Sequence, residues 1–232
     1  MLHALTVATK EERGLQAFQA TAIRHGVAVT VLGWGMEWRG LTMKLKLVQQ
    51  WLRDVPGEDL IVFADGYDCV WADGLEGLKR RFRALGHPLV MSAERNCYPF
   101  ADRAGDYPPC ETPYRYLNCG CWMGRAGHMR HLLAEMRIEQ MPDDFDDQAL
   151  FTIFYLSNFD AIRLDTRQEM FQSLYQAEGD IVLETTTEGE RIARNQLTNT
   201  YPAIVHGNGH ADMREVTDWL QGKTAVSVQR VL

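Results

Sequence analysis

The sequence predicts an α/β fold: a mixed, mostly parallel sheet with helices on both faces. Three observations carry this. Short apolar runs alternate with segments of helical spacing along the first two thirds of the chain, the opening runs form a β-α-β unit, and Leu60 to Ala64 (LIVFA) is a continuous apolar strand of the kind buried on both sides in a parallel sheet.

Taken in order, Leu2 to Ala8 reads as a buried strand, followed by Thr9-Lys10 and a helix over Glu11 to His25 that Gly26 ends. Val27 to Leu32 (VAVTVL) is a second, β-branched strand, and the helix between is long enough for the right-handed crossover that joins parallel neighbours. Gly33 to Gly40 is a loop flanked by Trp34 and Trp38, and helical spacing resumes over Met43 to Arg53 until Pro56-Gly57 breaks it. The LIVFA strand then meets Asp65-Gly66-Tyr67-Asp68 at its carboxyl end, where open α/β sheets bind ligands. Gly74 to Leu85 reads as a helix and Leu89 to Ser92 as a strand. Glu94 to Arg115 is a long loop, and Tyr98, Phe100, Tyr107 and Tyr114 along it suggest a partly ordered lid or a substrate-facing wall. Tyr116 to Met123 is a strand and Gly127 to Arg137 a helix. Asp143-Asp144-Phe145-Asp146-Asp147-Gln148 is an acidic turn that caps a helix over Ala149 to Leu156. Shorter strands and turns follow Asp160, leading to Ala203 to Val205, His206-Gly207-Asn208-Gly209 and a helical tail. With no repeat, low-complexity tract or linker, residues 1–232 are expected to form one domain.

Composition narrows the function. The net charge is −7 and the basic residues are dispersed, apart from Lys79-Arg80-Arg81-Phe82-Arg83, which disfavours a polyanion partner. That basic run is first a solvated helix face and second a phosphate or acceptor contact. No apolar run reaches the roughly 20 residues of a membrane span and the start lacks a signal-peptide layout, so a soluble, cytoplasmic protein is expected. Five cysteines without paired spacing, Cys69, Cys97, Cys110, Cys119 and Cys121, argue against a zinc knuckle or a complete disulfide framework. Two apart in a strand, Cys119 and Cys121 are expected to share a face.

Asp65 and Asp68 lie three residues apart in a tight turn and can converge on one hard cation, Mn²⁺ or Mg²⁺, although a solvated Asp-Gly turn has the same spacing. His206 can add an imidazole to such an ion, and the glycines beside it let backbone amides approach a phosphate; a plain loop reads equally from those residues. Asp146 and Asp147 are either helix caps or acceptor-orienting groups and a general base. Tyr67 either stacks a nucleobase or covers the strand end, and Trp34 and Trp38 are either sugar-packing surfaces or core anchors.

With these residues assembled, the chain resembles the glycosyltransferase domain of the multifunctional procollagen lysyl hydroxylases and their viral and bacterial relatives. Six segments carry the likeness in order: Leu5 to Glu11, Phe63 to Asp68, Met91 to Glu94, Asn118 to Gly124, Asp146 to Gln148 and Val205 to Gly209. The resemblance implies a GT-A-like, Rossmann-type sheet, Mn²⁺ and a UDP-hexose donor, UDP-glucose or UDP-galactose. It implies that Asp65, Asp68 and His206 bind metal, that Val7, Thr9 and Tyr67 surround the uridine, and that Asn208 and Gly209 approach the diphosphate. Lys44 matches a basic position after the family's Gly-rich loop, Tyr98 stands where a donor-site Trp is often found, and Asn118 opens a segment similar to the family's Asn-Ser-Gly-Gly. Asp146 and Asp147 match acids near donor sugar and acceptor. Two departures stand out: Asp212 replaces a diphosphate-binding Lys, and Gly40-Leu41-Thr42-Met43 carries less glycine than the family's loop.

The resulting expectation is a free-standing transferase moving a hexose to a hydroxyl acceptor, such as hydroxylysine in a collagen-like protein. Transfer to hydroxymethylated DNA bases and a non-catalytic nucleotide-sugar-binding module are the alternatives, and a homodimer is left open.

Overall fold

The computed structural model describes residues 1–222. Its elements in chain order are β1 (Leu2–Val7), α1 (Arg13–Arg24), β2 (Val29–Leu32), α2 (Leu41–Leu52), β3 (Leu60–Ala64), β4 (Cys69–Trp71), α3 (Leu75–Leu85), β5 (Leu89–Glu94), β6 (Tyr116–Arg125), α4 (Ala126–Glu135), α5 (Asp147–Ser157), β7 (Arg163–Asp165), β8 (Phe171–Ser173), β9 (Ile181–Thr185), β10 (Arg191–Asn195), β11 (Ile204–His206) and α6 (Arg214–Leu220). The expected helical tail is thus α6 as far as Leu220, and its continuation into 223–232 lies outside the described residues.

Six strands form the central sheet in the order β2-β1-β3-β6-β5-β7. The pairs β1–β2, β1–β3 and β5–β7 are parallel, and β6 runs antiparallel to both β3 and β5. Apolar faces of α2, α4 and α5, through Val48, Leu132 and Phe151, pack with one side of this sheet. Leu15, Phe18 and Ala22 of α1, with Leu78 and Phe82 of α3, cover the other. Helices therefore lie on both faces, as an amphipathic alternation requires.

A second sheet, β4-β11-β8, is less visible in the sequence, because β4 and β8 are only three residues long. Its pairing sets Cys69 opposite His206 and Ile204 opposite Trp71. Asp165 fastens this sheet beside the first: its buried carboxylate accepts from the amides of Glu169, Met170 and Phe171 at 2.9, 2.7 and 2.9 Å.

The structure corrects two expectations. Cys119 and Cys121 do not share a face: Cys119 packs with the α2, α4 and α5 side and Cys121 with the α1 and α3 side. The cause is a register break, since Met91 pairs with Trp122 whereas Ser92 pairs with Asn118, and an irregularity in the ladder reverses side-chain parity beyond it. The lid or substrate-facing wall expected of the loop after β5 is corrected only in its aromatics, of which Tyr98 lines a cleft. Tyr107 and Tyr114 are fully buried in the core, and Tyr98 alone of the three tyrosines is exposed.

Candidate active site

Two clefts meet at the carboxyl end of β3. One, about 370 Å³, is bordered by Val7, Thr9, Trp38 and Tyr67; the other, about 610 Å³, by Glu94, Tyr98, Asn118, Asp146, Asn208 and Gly209. Both are lined by Leu41, Lys44, Asp65 and Asp68. The sequence therefore places its candidate residues around one continuous location, within the usual size range of small-molecule sites.

At the junction, one ligand atom each from Asp65, Asp68 and His206 lies within 4.8 Å of the others. Backbone bonds bring these residues together: the Asp65 amide donates to Gly120 O at 2.9 Å, and the Gly207 amide donates to Asp68 O at 2.8 Å. Gly120 is required for steric reasons, since a Cβ there would sit 2.1 Å from His206 Cε1. Sequence reading gave Gly120 no role, although a glycine inside a strand is itself a signal of close approach.

The charges at this junction are unevenly paired. His206 Nε2 is 3.5 Å from Asp68 Oδ2, whereas His206 Nδ1 and Asp68 Oδ1 are buried without hydrogen-bond partners. Burial works against His206 protonation, but the charge and hydrogen bond of Asp68, then Cys121 and Asp65, outweigh it and push its pKa up to about 10. Asp65 is pushed up by burial and by Asp68, against the attraction of Lys44. Lys44 Nζ stands 2.8 Å from both Asp65 Oδ1 and Asp147 Oδ2, and these two carboxylates hold its pKa well above the ordinary lysine value despite complete burial. Lys44 is thus committed to two carboxylates.

In the smaller cleft, the Tyr67 hydroxyl accepts from the amides of Thr9 and Lys10 at 3.1 and 3.2 Å and donates to Lys10 O at 3.0 Å. This ties the β1 exit to the acidic turn and leaves Val7 and Thr9 along the cleft. Trp34 and Trp38 are 56% and 46% exposed, which excludes the core-anchor alternative for both.

The acidic turn divides its labour. Asp143 pairs with Arg39 and Lys46, and Asp146 caps α5 by accepting from the Ala149 amide at 2.8 Å. Asp146 also accepts from the Tyr98 hydroxyl at 2.9 Å, while Asp147 is buried against Lys44. Capping and cleft lining therefore coexist at Asp146.

The far wall is a closed amide network centred on Glu94, a residue assigned no role from its sequence context. Its Oε1 accepts from Asn118 Nδ2 and Gln148 Nε2, both at 2.9 Å, and its Oε2 accepts from Asn208 Nδ2 at 3.0 Å. Asn208 Oδ1 accepts from the Tyr175 amide at 3.0 Å, and Gly209 follows with φ +66, a conformation glycine adopts without strain. The available signal was an acidic residue ending an otherwise nonionisable strand, LVMSAE. Asp212 is elsewhere: it is exposed and paired with Arg214 at 2.9 and 3.0 Å, while His210 borders the larger cleft.

A profile of the PLOD GT domain matches residues 1–220. This chain belongs to the PLOD GT domain family. Procollagen-lysine,2-oxoglutarate 5-dioxygenase of Drosophila melanogaster is 32% identical over 219 residues, covering 88% of this chain and 30% of that protein. The multifunctional procollagen lysine hydroxylase and glycosyltransferase of Caenorhabditis elegans is 31% identical over 224 residues, with the same coverage of 88% and 30%. Uncharacterized protein R699 of Acanthamoeba polyphaga mimivirus is 32% identical over 208 residues, covering 85% of this chain and 44% of that protein. The chain accordingly spans 30 to 44% of the length of these relatives. The fold is shared with mouse xyloside xylosyltransferase 1 in its apo crystal structure, at TM-score 0.55 and 15% identity, covering 91% of this chain and 99% of that one. The sheet of this PLOD GT domain is GT-A-like, and the family is one of glycosyltransferases. Among the described residues, no helix is long and apolar enough to cross a membrane.

Proposed function

We propose that this PLOD GT domain is a single transferase domain that moves glucose or galactose from a UDP-sugar to a hydroxyl acceptor, with Mn²⁺ as the resident ion. The observation that carries this is the convergence of Asp65, Asp68 and His206 where the two clefts join. The donor set fits: two carboxylates and one imidazole suit Mn²⁺, and the orphaned His206 Nδ1 and Asp68 Oδ1 show buried polar atoms awaiting a partner.

When bound, the ion supplies positive charge against the departing diphosphate. Asp65, Asp68 and His206 would hold it. Val7, Thr9 and Tyr67 border the cleft assigned to uridine, and Asn208, its amide held by Glu94 and the Tyr175 backbone, fixes the loop whose Gly209 backbone is assigned to the diphosphate. Asp146, Asp147, Asn118 and Tyr98 face the donor sugar and acceptor, where a carboxylate orients the attacking hydroxyl. Lys44 neutralises Asp65 and Asp147 and sets the charge the site offers to its ligands.

For the acceptor, hydroxylysine in a collagen-like protein is favoured by the names of the relatives, one of which is a procollagen lysine hydroxylase and glycosyltransferase. The DNA-base alternative loses its support in the basic run, because Arg81 pairs with Asp73 and Lys79 with Glu76, and none of residues 79–83 borders either cleft.

The test is Mn²⁺-dependent UDP release across a panel of UDP-sugars and hydroxyl acceptors. Asp65→Ala and Asp68→Ala are expected to lower turnover by about 100-fold or more, the scale of losing a preorganised electrostatic group. Unchanged turnover in both would remove the metal assignment, and donor binding without turnover or donor hydrolysis would favour a binding module.

A further inference from the structure

His206 belongs to a second cluster besides the one used above. Sγ of Cys69, Sγ of Cys121 and one ring nitrogen of His206 also lie within 4.8 Å of one another, and all three residues are buried. The two sulfurs are 3.5 Å apart. Tetrahedral coordination with Zn–S bonds of about 2.3 Å separates two thiolate sulfurs by about 3.8 Å, so only a small adjustment is needed. The cluster is built from paired strands: Cys69 and His206 are direct cross-strand partners on β4 and β11, and Cys121 of β6 pairs with Ala64 of β3.

We propose that Cys69, Cys121 and His206 form a binding site for a thiophilic divalent cation, Zn²⁺ being the commonest such ion. Two thiolates and an imidazole are a soft to borderline donor set, unlike the carboxylate-rich set of Asp65, Asp68 and His206. The nitrogen ligand is supplied by a side chain that is 3% exposed and whose Nδ1 has no hydrogen-bond partner. Asp68 and Cys69 both border a surface cleft of about 520 Å³, which brings solvent to the strand that carries the first sulfur. As each sulfur bonds the cation its thiol proton passes to solvent, and His206, held protonated beside Asp68, gives up a ring proton as its nitrogen binds, so three protons leave per ion and no electron is transferred.

The two clusters share one imidazole, and filling both at once would require the ring to lose both protons and hold two dications on its two nitrogens, so occupation of one disfavours the other. Zn²⁺ held by the sulfurs withdraws His206 from the carboxylate set. This makes a thiophilic ion an inhibitor that competes with Mn²⁺, a consequence that rests on the transferase reading above, whereas the binding itself does not.

Co²⁺ is the probe that separates these statements, because its absorption reports its ligands directly. Titrated into the full chain under a non-thiol reductant, it is expected to give a near-ultraviolet thiolate-to-cobalt charge-transfer band and strong visible bands of tetrahedral coordination, both displaced by Zn²⁺. Cys69→Ala and Cys121→Ala should each weaken the charge-transfer band and weaken Zn²⁺ binding by more than the ~10–100-fold attached to losing an outer-shell partner, and the double variant should abolish the band. Cys119→Ala, on the opposite face, should retain both, which controls for a general effect of removing a buried thiol. Thermal unfolding of each variant confirms that a folded protein is being read. A wild-type spectrum with only the weak bands of oxygen-ligated cobalt, or a charge-transfer band undiminished in the single variants or surviving in the double alanine variant, overturns the site. Absence of any Mn²⁺-dependent turnover overturns the transferase reading and leaves the cobalt result standing.

Discussion

The two walls of the larger cleft are built on opposite electrostatic plans. On one wall, Asp65, Asp68, Asp147, Lys44 and His206 crowd five ionisable groups together, and buried atoms of Asp68 and His206 have no hydrogen-bond partner. On the other, Glu94 has both carboxylate oxygens occupied, by Asn118, Gln148 and Asn208. Burying an unpaired polar atom costs free energy that a paired one does not. The first wall is therefore poised to receive a charged guest, while the second is a finished scaffold that fixes the angle between α5, β6 and the loop after β11.

The sharpest way to break this contrast is Lys44→Met. It keeps the aliphatic stem and strips the cation from Asp65 and Asp147, leaving a half-buried and a buried carboxylate facing each other. Removal of one partner from a buried ion pair costs about 3–5 kcal/mol. The metal-free variant is expected to unfold at correspondingly lower denaturant, and Mn²⁺ should recover part of the loss by neutralising Asp65. A denaturant series with and without Mn²⁺ checks both points; stability that neither falls nor responds to metal would show that Lys44 does not balance the wall.

On the scaffold wall the smaller expected change is Glu94→Gln. The shape is conserved, but one amide hydrogen-bonding face must now meet the amide donors of Asn118 and Gln148 or that of Asn208. One mismatched buried donor costs about 1–3 kcal/mol. Because Asn208 lies in the loop assigned to the diphosphate, the defect should appear as weaker UDP binding by calorimetry with Mn²⁺ affinity nearly retained. Equal loss of both would merge the two walls into one functional unit.

The first wall was the more legible of the two. Asp65 and Asp68 follow a five-residue apolar strand, and strand plus acidic turn is a local pattern that a sequence displays directly. His206 was located by its own apolar strand, and only pairing between β4 and β11 joins it to the acids, a nonlocal fact that a three-residue strand such as Cys69–Trp71 does not announce. The parity reversal between Cys119 and Cys121 was hidden for a related reason: periodicity assumes an unbroken ladder, and the break here depends on which residues of β5 sit opposite. Glu94 and Gly120 were missed because their roles are defined by what they touch, three amides in one case and an imidazole ring in the other. Central strands and flanking helices, set by local apolar patterning, were found within a few residues of their ends.

The scaffold plan has a second example in Asp165, and it predicts an effect that shows only as a change in slope with pH. Its three backbone donors favour the carboxylate, yet complete burial dominates and raises its pKa from 3.8 to about 6. A folded pKa above the unfolded one means that the folded state binds the proton more tightly. The resulting stabilisation is fully present below pH 3.8 and is lost as pH rises through about 6. Asp165→Asn should remove this contribution, so the difference in stability between wild type and variant should shift in favour of the variant as pH rises across that window. Thermal unfolding at matched ionic strength measures it. The carboxamide keeps one oxygen for the amides of Met170 and Phe171, which both bond Oδ2, but turns a donor toward the amide of Glu169, which bonds Oδ1. A constant offset between the two proteins is therefore expected from that mismatch, and only the pH-dependent part reports the titration. A difference that does not vary with pH would mean that the three amides, and not burial, govern Asp165, and that the scaffold keeps its carboxylates charged throughout.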